Sequence, residues 1–243
     1  MCGRYIIISG RKVFATFELL RTLNDRNVPY LTVPRYNAAP MQKLPIVVNR
    51  PEGGLQTLEA QWWIIPHWSK TGKPDTQFPA FNARADRISD SKLFSPYFKA
   101  RRCLVPVDGF YEWKKGEGKD KIPMCIRMKD EKPFMLAGVY SVWKDKEETE
   151  LPSFAIITTD ANELMASIHN RMPVIIAPEN FEAWLDPSNN DTDSLRQMLV
   201  PYPSDRMKAF PVSRYVNNSR NEGEECMQPA EEASLSENDA RKQ

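Results

Sequence analysis

Apolar and polar positions alternate through most of this chain, and the period is that of strands. Runs rich in β-branched and aromatic residues at 4–9, 44–49, 55–65, 102–107, 109–114, 122–128, 134–143, 153–158, 172–176 and 207–212 predict strands. Helical spacing is rarer. Val13, Phe14, Phe17 and Leu20 fall on one face of a helix over 13–22. Asp160 is placed to cap a short helix ending near Ile168, Pro178 to start one reaching Trp184, and Asp191 or Thr192 to cap one ending near Leu199. Twenty prolines argue for many short elements. Strands without regular βαβ alternation predict an α+β fold: one β-rich domain on a bent, antiparallel, barrel-like sheet with a few short helices. The segment 66–81 has no periodicity, and unstructured loops of that length inside a domain are usually functional or mobile.

The bulk properties narrow the class. The 243 residues suit a single domain with a sizeable core. No apolar run is long enough to span a membrane, and Arg4, Arg11 and Lys12 interrupt the early apolar stretch where a signal peptide would lie. These features predict a cytoplasmic protein. Cys2, Cys103, Cys125 and Cys226 form no C-x-x-C pair, and with only two histidines neither a metal site nor a disulfide framework is expected. The net charge of +1 conceals an asymmetry. Residues 222–243 hold seven acids against Arg241 and Lys242, a net −5, which leaves +6 on residues 1–221. A body of that charge suits a polyanionic partner, and the acidic, Ser- and Ala-rich terminus is expected to be mostly flexible. The boundaries drawn are a domain over 1–229 and an acidic tail over 230–243.

Candidate chemistry begins at the start of the chain. Loss of Met1 would give Cys2 a free amine beside its thiol, and Gly3 lets that terminus turn into a pocket. An α-amine titrates near 7.7 to 8.0 and a thiol near 8.5, so both are close to reactive at neutral pH. In 107–113, Glu112 shares a strand face with Phe110, an apolar setting that suits a proton donor; a solvated, outward Glu112 is the competing reading. His169, in Ile168-His169-Asn170-Arg171-Met172-Pro173, falls at a helix-to-strand junction, where the helix C-terminus favours a charged imidazole. Asn82 and Arg84 point the same way from an extended segment and offer an amide and a phosphate fork, unless Arg84 simply pairs with Asp86. Trp62, Trp63 and Trp68 are candidate base-stacking platforms, although core packing accounts for at least one of the adjacent pair. Asn37 and Ser213 lie in polar loops that could line a cleft.

Five separated motifs then combine: Met1-Cys2-Gly3-Arg4, Tyr36-Asn37-x-x-Pro40, Asn82-x-Arg84-x-Asp86, Asp108-Gly109-Phe110-Tyr111-Glu112-Trp113 and Ile168-His169-x-Arg171-Met172-Pro173. Together with Val212-Ser213 and Val216-Asn217 they resemble the SRAP domain, the SOS-response-associated peptidase family, over residues 2 to about 229. The resemblance implies a monomeric, cofactor-free protein that binds single-stranded DNA, is nucleoid-associated when on DNA, and crosslinks to abasic sites through Cys2 as a thiazolidine. It also implies lyase activity and autocatalytic removal of Met1. By similarity Asn82 positions the cysteine and the sugar, Glu112 shuttles protons, and His169 assists ring opening and reversal. Arg4, Arg84 and Arg171 would hold phosphates, and the tandem Trp62-Trp63 would stack on DNA. The family often has Trp-Gly where this chain has Trp62-Trp63.

Two other readings differ in class. Met-Cys-Gly also opens glutamine amidotransferases, in which a free α-amine activates the thiol, and glutamine hydrolysis would mark that activity. A single-strand-binding module without chemistry would bind DNA in a salt-dependent way that survives Cys2→Ala and gives no adduct.

Overall fold

A computed structural model describes residues 2–10, 12–23 and 33–230. Its centre is β10 (Glu150–Asp160), which pairs antiparallel with β9 (Phe134–Lys144) and parallel with the end of β4 (Gly54–Trp62), Ser153 lying opposite Gln61. From β4 the ladder passes to β3 (Lys43–Arg50), to β6 (Arg102–Val107) and back to β9, so five strands close on themselves and leave no free edge between them. Beyond the barrel, β5 (Asn82–Arg84) adds in parallel to β10, β11 (Arg171–Pro173) pairs with its last residues, and β12 (Ile175–Ile176) extends β9. A second, antiparallel sheet orders β13 (Met207–Pro211), β8 (Lys121–Met128), β7 (Gly109–Lys115), β1 (Tyr5–Ile7) and β2 (Arg35–Ala38). The barrel-like β-rich domain expected from the alternation is therefore present.

Burial explains where alternation fails. Every residue of β6 is buried, because its inner face fills the barrel while α4 (Phe181–Leu185) covers the other. Trp184 of α4 donates its indole N–H to Cys103 O at 3.0 Å. Arg102 is also buried, and its guanidinium meets the carbonyls of Phe98 and Lys99 at the end of α2 (Ser95–Ala100), that of Trp184 in the last turn of α4 and those of Asp186 and Asn189 after it. One cation thus satisfies the last carbonyls of two short helices, and burial lowers its pKa to about 10.

The helices are shorter than the periodicity predicts. The 13–22 segment splits into α1 (Lys12–Thr16) and a 3-10 turn (Glu18–Leu23), yet Val13, Phe14, Phe17 and Leu20 are all buried. The helix expected from Asp160 is α3 (Glu163–Ala166), capped by Asn162, whose side chain accepts from the amide of Met165 at 2.9 Å. Asp160 instead ends β10 and pairs with Arg171 at 2.7 Å. The Pro178 start becomes a 3-10 turn leading into α4, whereas Asp191 caps α5 (Thr192–Gln197) as expected. The loop 66–81 has no regular element but is anchored: Trp143 donates to Ser69 O at 2.8 Å, and its ring lies so close to Gly72 that an added Cβ would come within 2.7 Å of it.

The acidic terminus divides. Residues 222–230 pack on the body, contrary to the expected flexibility, because their acids find specific partners. Glu222 pairs with Arg35 at 3.1 Å and accepts from Tyr36 N at 2.8 Å; Cys226 is buried; Ala230 donates to Pro211 O at 3.0 Å. The rest of the expected tail, 231–243, lies outside the described residues. Among the described residues no helix is long and apolar enough to cross a membrane.

Candidate active site

The strand that carries the chain start also fixes the site. Tyr5 of β1 lies opposite Phe110 of β7, and Tyr111 N donates to Arg4 O at 3.0 Å, so the same register carried further brings Gly3 level with Glu112. Cys2 is fully buried. Its carbonyl accepts a 2.8 Å hydrogen bond from Asn82 Nδ2, and the Arg4 amide supports its sulfur. Burial pushes the thiol pKa far up, with the negative charge of Glu112 adding to the shift. Glu112 itself is only 3% exposed, so the solvated alternative is excluded. The strand alternation holds at this point: Phe110 belongs to the main core, while Tyr111 and Trp113 pack in a second cluster behind the sheet.

Asn82 is held from below. Phe81 O accepts from Ile156 N at 3.1 Å and from Trp62 Nε1 at 2.9 Å, which fixes the entry to β5. The Trp62 ring packs 5.0 Å from Tyr5 and 6.2 Å from Phe154. Trp62 therefore links the strand of Cys2 to the strand of Asn82. It has no exposed surface, which corrects the expectation that it stacks on DNA. Trp63 is 9% exposed and packs on Phe81 at 5.2 Å, so it too belongs to the core; adjacent tryptophans are both covered because the chain leaves the sheet after Trp62. Trp68 is the exposed one of the three, at 51%, stacked at 6.1 Å on Tyr97. Asn82 Oδ1 is a buried acceptor without a hydrogen-bond partner among the described residues.

His169 follows α3 at the rim, half-buried. Its Nδ1 lies 3.0 Å from the Arg171 amide and 3.3 Å from the Arg171 carbonyl, so the main chain of Arg171 fixes the orientation of the ring. Arg171 is 7% exposed, paired with Asp160, donating to Thr158 O at 2.6 Å and lying 3.5 Å from Asp86. It organises the rim and is not a free phosphate grip. Arg84 is exposed and forks Asp86 at 3.0 and 2.7 Å, which lowers the Asp86 carboxyl pKa to about 2. Asp86 thus bridges Arg84 to Arg171, a pairing noticed in the sequence only as a surface contact.

Three further expected contacts have partners within the protein. Arg4 donates to Asn37 Oδ1 at 3.0 Å and to Val216 O at 2.8 Å, and lies 5.6 Å over Trp113. Asn37 is fully buried and donates to the carbonyls of Val216, Asn218 and Asn221 at 3.3, 3.0 and 3.0 Å. Ser213 caps the turn 214–217 by accepting from Tyr215 N at 3.2 Å. Arg4 and Asn37 hold the 216–221 segment against β1 and β2, and the full burial of Asn37 corrects its assignment as a DNA contact; Arg4 and Ser213 remain part-exposed. Beside Asn82 opens a cavity of about 660 Å³ lined by Arg84, Arg87, Ile88 and Phe94, residues that the sequence patterns did not single out apart from Arg84. No group of His, Cys, Asp and Glu suited to a metal ion exists among the described residues.

A closed five-stranded barrel with a buried Cys2 held by an amide and under the charge of a buried acid defines a recognisable class. A crystal structure of a protein from Bacteroides thetaiotaomicron matches it with a TM-score of 0.73 at 29% identity, covering 95% of this chain and 100% of that one. The SOS response associated peptidase (SRAP) model matches residues 1–219, and the chain belongs to that family. It is 38% identical over 230 residues to abasic site processing protein YoqW of Bacillus subtilis, covering 94% of this chain and 99% of the relative. It is 31% identical over 233 residues to abasic site processing protein YedK of Escherichia coli, covering 94% and 100%.

Proposed function

We propose that this protein processes abasic sites in single-stranded DNA by forming a covalent thiazolidine through Cys2 once Met1 is removed. The names of its relatives support abasic-site processing. The observation that carries the chemistry is the setting of Cys2: its carbonyl on Asn82 and its thiol under the charge of Glu112, with Cys2 and Glu112 both buried. The ring-opened abasic sugar is an aldehyde. The α-amine attacks its carbon and expels water to give an imine; the sulfur then adds to the C=N carbon, and the thiol proton ends on nitrogen. Overall, aldehyde and aminothiol give thiazolidine and one water.

The thiol is neutral at physiological pH, so its proton must leave as sulfur attacks, and Glu112 is the nearby charged acceptor. In the earlier dehydration the same carboxyl, protonated by the proton that the attacking amine sheds, can donate to the departing hydroxyl of the carbinolamine, and after sulfur attack it passes the thiol proton to the ring nitrogen. Asn82 keeps Cys2 aligned, and its open Oδ1 offers an acceptor to the new amine or to a sugar hydroxyl. His169, half-buried and oriented through Nδ1 by the main chain of Arg171, suits proton exchange with the sugar ring oxygen. Arg84 and Arg87 on the adjoining cavity provide cations for flanking phosphates, and Phe94 and Trp68 provide apolar surfaces for bases. Lyase activity and removal of Met1 by the same Cys2–Glu112 pair belong to this reading, as do a monomeric state and a cytoplasmic location on DNA.

The test is intact mass spectrometry of Met1-free protein after incubation with an abasic single strand. The expected product is heat-resistant and equals protein plus DNA minus one water, is absent in Cys2→Ala, and appears in Cys2→Ser at most as a reducible imine. Protein verified to lack Met1 that forms no adduct would refute the proposal.

A further inference from the structure

The far end of α2 borders a second cavity of about 590 Å³, lined among others by Arg50, His67, Arg101, Tyr140, Lys144 and Glu150. Its cations are unequally matched. Arg50 forks Glu150 at 3.2 Å and also bonds the Tyr140 hydroxyl, and Lys144 pairs with Glu148 at 2.9 Å. Arg101 differs: its Nη1 is shut off from solvent and has no hydrogen-bond partner among the described residues. An ionised donor left in that state is costly, and an anionic acceptor in the cavity would relieve it.

Two observations tie this cavity to the site at Cys2. First, α2 joins them: Phe94, immediately before the helix, lines the cavity beside Asn82, and Arg101 follows its last residue. Six residues of helix span roughly 9 Å, a distance that a few nucleotides of extended strand cover. Second, the ground between them is aromatic. Trp68 lies half-exposed and stacked on Tyr97 of α2, whose hydroxyl bonds both the amide and Nδ1 of His67 on the wall of the second cavity. A phosphate pocket beside an exposed indole is the pairing that single-strand grooves use.

We infer that the Arg101 cavity binds a backbone phosphate of the DNA strand whose abasic residue lies at Cys2, with a base stacked on Trp68 between them. This extends the footprint of the function proposed above and rests on it. Arg101 and Arg50 would share the phosphate oxygens, and the strand would follow α2 from Asn82 to Arg101.

The experiment measures fluorescence anisotropy binding of undamaged single strands of about four and about twelve nucleotides across a salt series. Arg101→Gln is expected to weaken the longer strand roughly three- to tenfold and to reduce the slope of log affinity against log salt by about 0.7, leaving the shorter strand unchanged. Glu52→Gln, which removes a carboxylate from the same cavity wall, should strengthen the longer strand, and this holds even if Arg101→Gln folds poorly. Equal weakening on both lengths, or none on either, overturns the inference. So does an Arg101-dependent thermal shift by inorganic phosphate without any change on the longer strand, because that assigns the cavity to a free anion. Adduct formation with a short abasic strand is followed in parallel. Its failure in wild type would sink the crosslinking reading, while the length dependence still decides the cavity.

Discussion

Replacing Asn37 with Ala separates holding the fold from holding DNA. Its amide is fully buried, donates to the carbonyls of Val216, Asn218 and Asn221, and accepts from Arg4. The NH2 group has two hydrogens, so the three donations amount to two full bonds, each contributing about 1 kcal/mol net. The bond from the Arg4 guanidinium is charge-assisted and contributes about 1.5 to 3 kcal/mol. Asn218 is exposed, and its carbonyl can turn to water, which lowers the cost. The expected loss is about 2 to 4 kcal/mol, read as a lower midpoint in urea at unchanged m-value. Binding to an undamaged single strand, measured well below the midpoint, should stay within about twofold of wild type. A loss under about 1 kcal/mol accompanied by much weaker binding would show that Asn37 faces DNA, and the structural assignment would fall.

Trp62→Ala removes a fully buried indole and should cost about 3 to 5 kcal/mol, measured by the same denaturation, with slowed adduct formation because β1 and β5 lose their common support. Exposure of Trp62 to collisional quenchers in the native state would contradict it. Peptide mapping after iodoacetamide treatment at pH 7.5 should find Cys2 alkylated far more slowly in the native chain than in urea, since burial and Glu112 hold it as the thiol; equal rates would be contrary. Arg84→Gln should return the Asp86 carboxyl from about 2 towards its ordinary value, followed by NMR titration. The folded pKa is depressed, so the pairing stabilises the protein above the ordinary carboxyl pKa and is lost as pH falls through about 2; in the variant that contribution is already missing at neutral pH.

How much of the site was legible depended on whether a residue's role is local. Glu112 was, because strand alternation alone assigns it the face of Phe110, and β7 keeps that alternation. Cys2 was, because its reactivity comes from its covalent position. Asn162 as a cap was missed since Asp160, two residues earlier, is an equally good capping residue; β10 runs longer than its apolar run because Arg171 draws Asp160 into the ladder. The strand β2 reads as a polar loop in the sequence, since its Tyr36 and Asn37 look solvated until Arg4 and the 216–221 carbonyls are brought against them.

By itself the sequence determined the α+β class, nearly all the strands, the family and the chemically distinct cysteine at its start. These follow from period, composition and covalent structure, which act over a few residues. Only the tertiary structure decided which arginines and tryptophans are available to a ligand. Arg4, Arg84, Arg101, Arg102 and Arg171 are alike in sequence, yet one props a loop, one pairs with Asp86, one lines a cavity with a buried donor left over, one closes two helices and one braces the rim. The difference lies in the carbonyls and carboxylates that meet each guanidinium, and those arrive from segments up to 213 residues away along the chain.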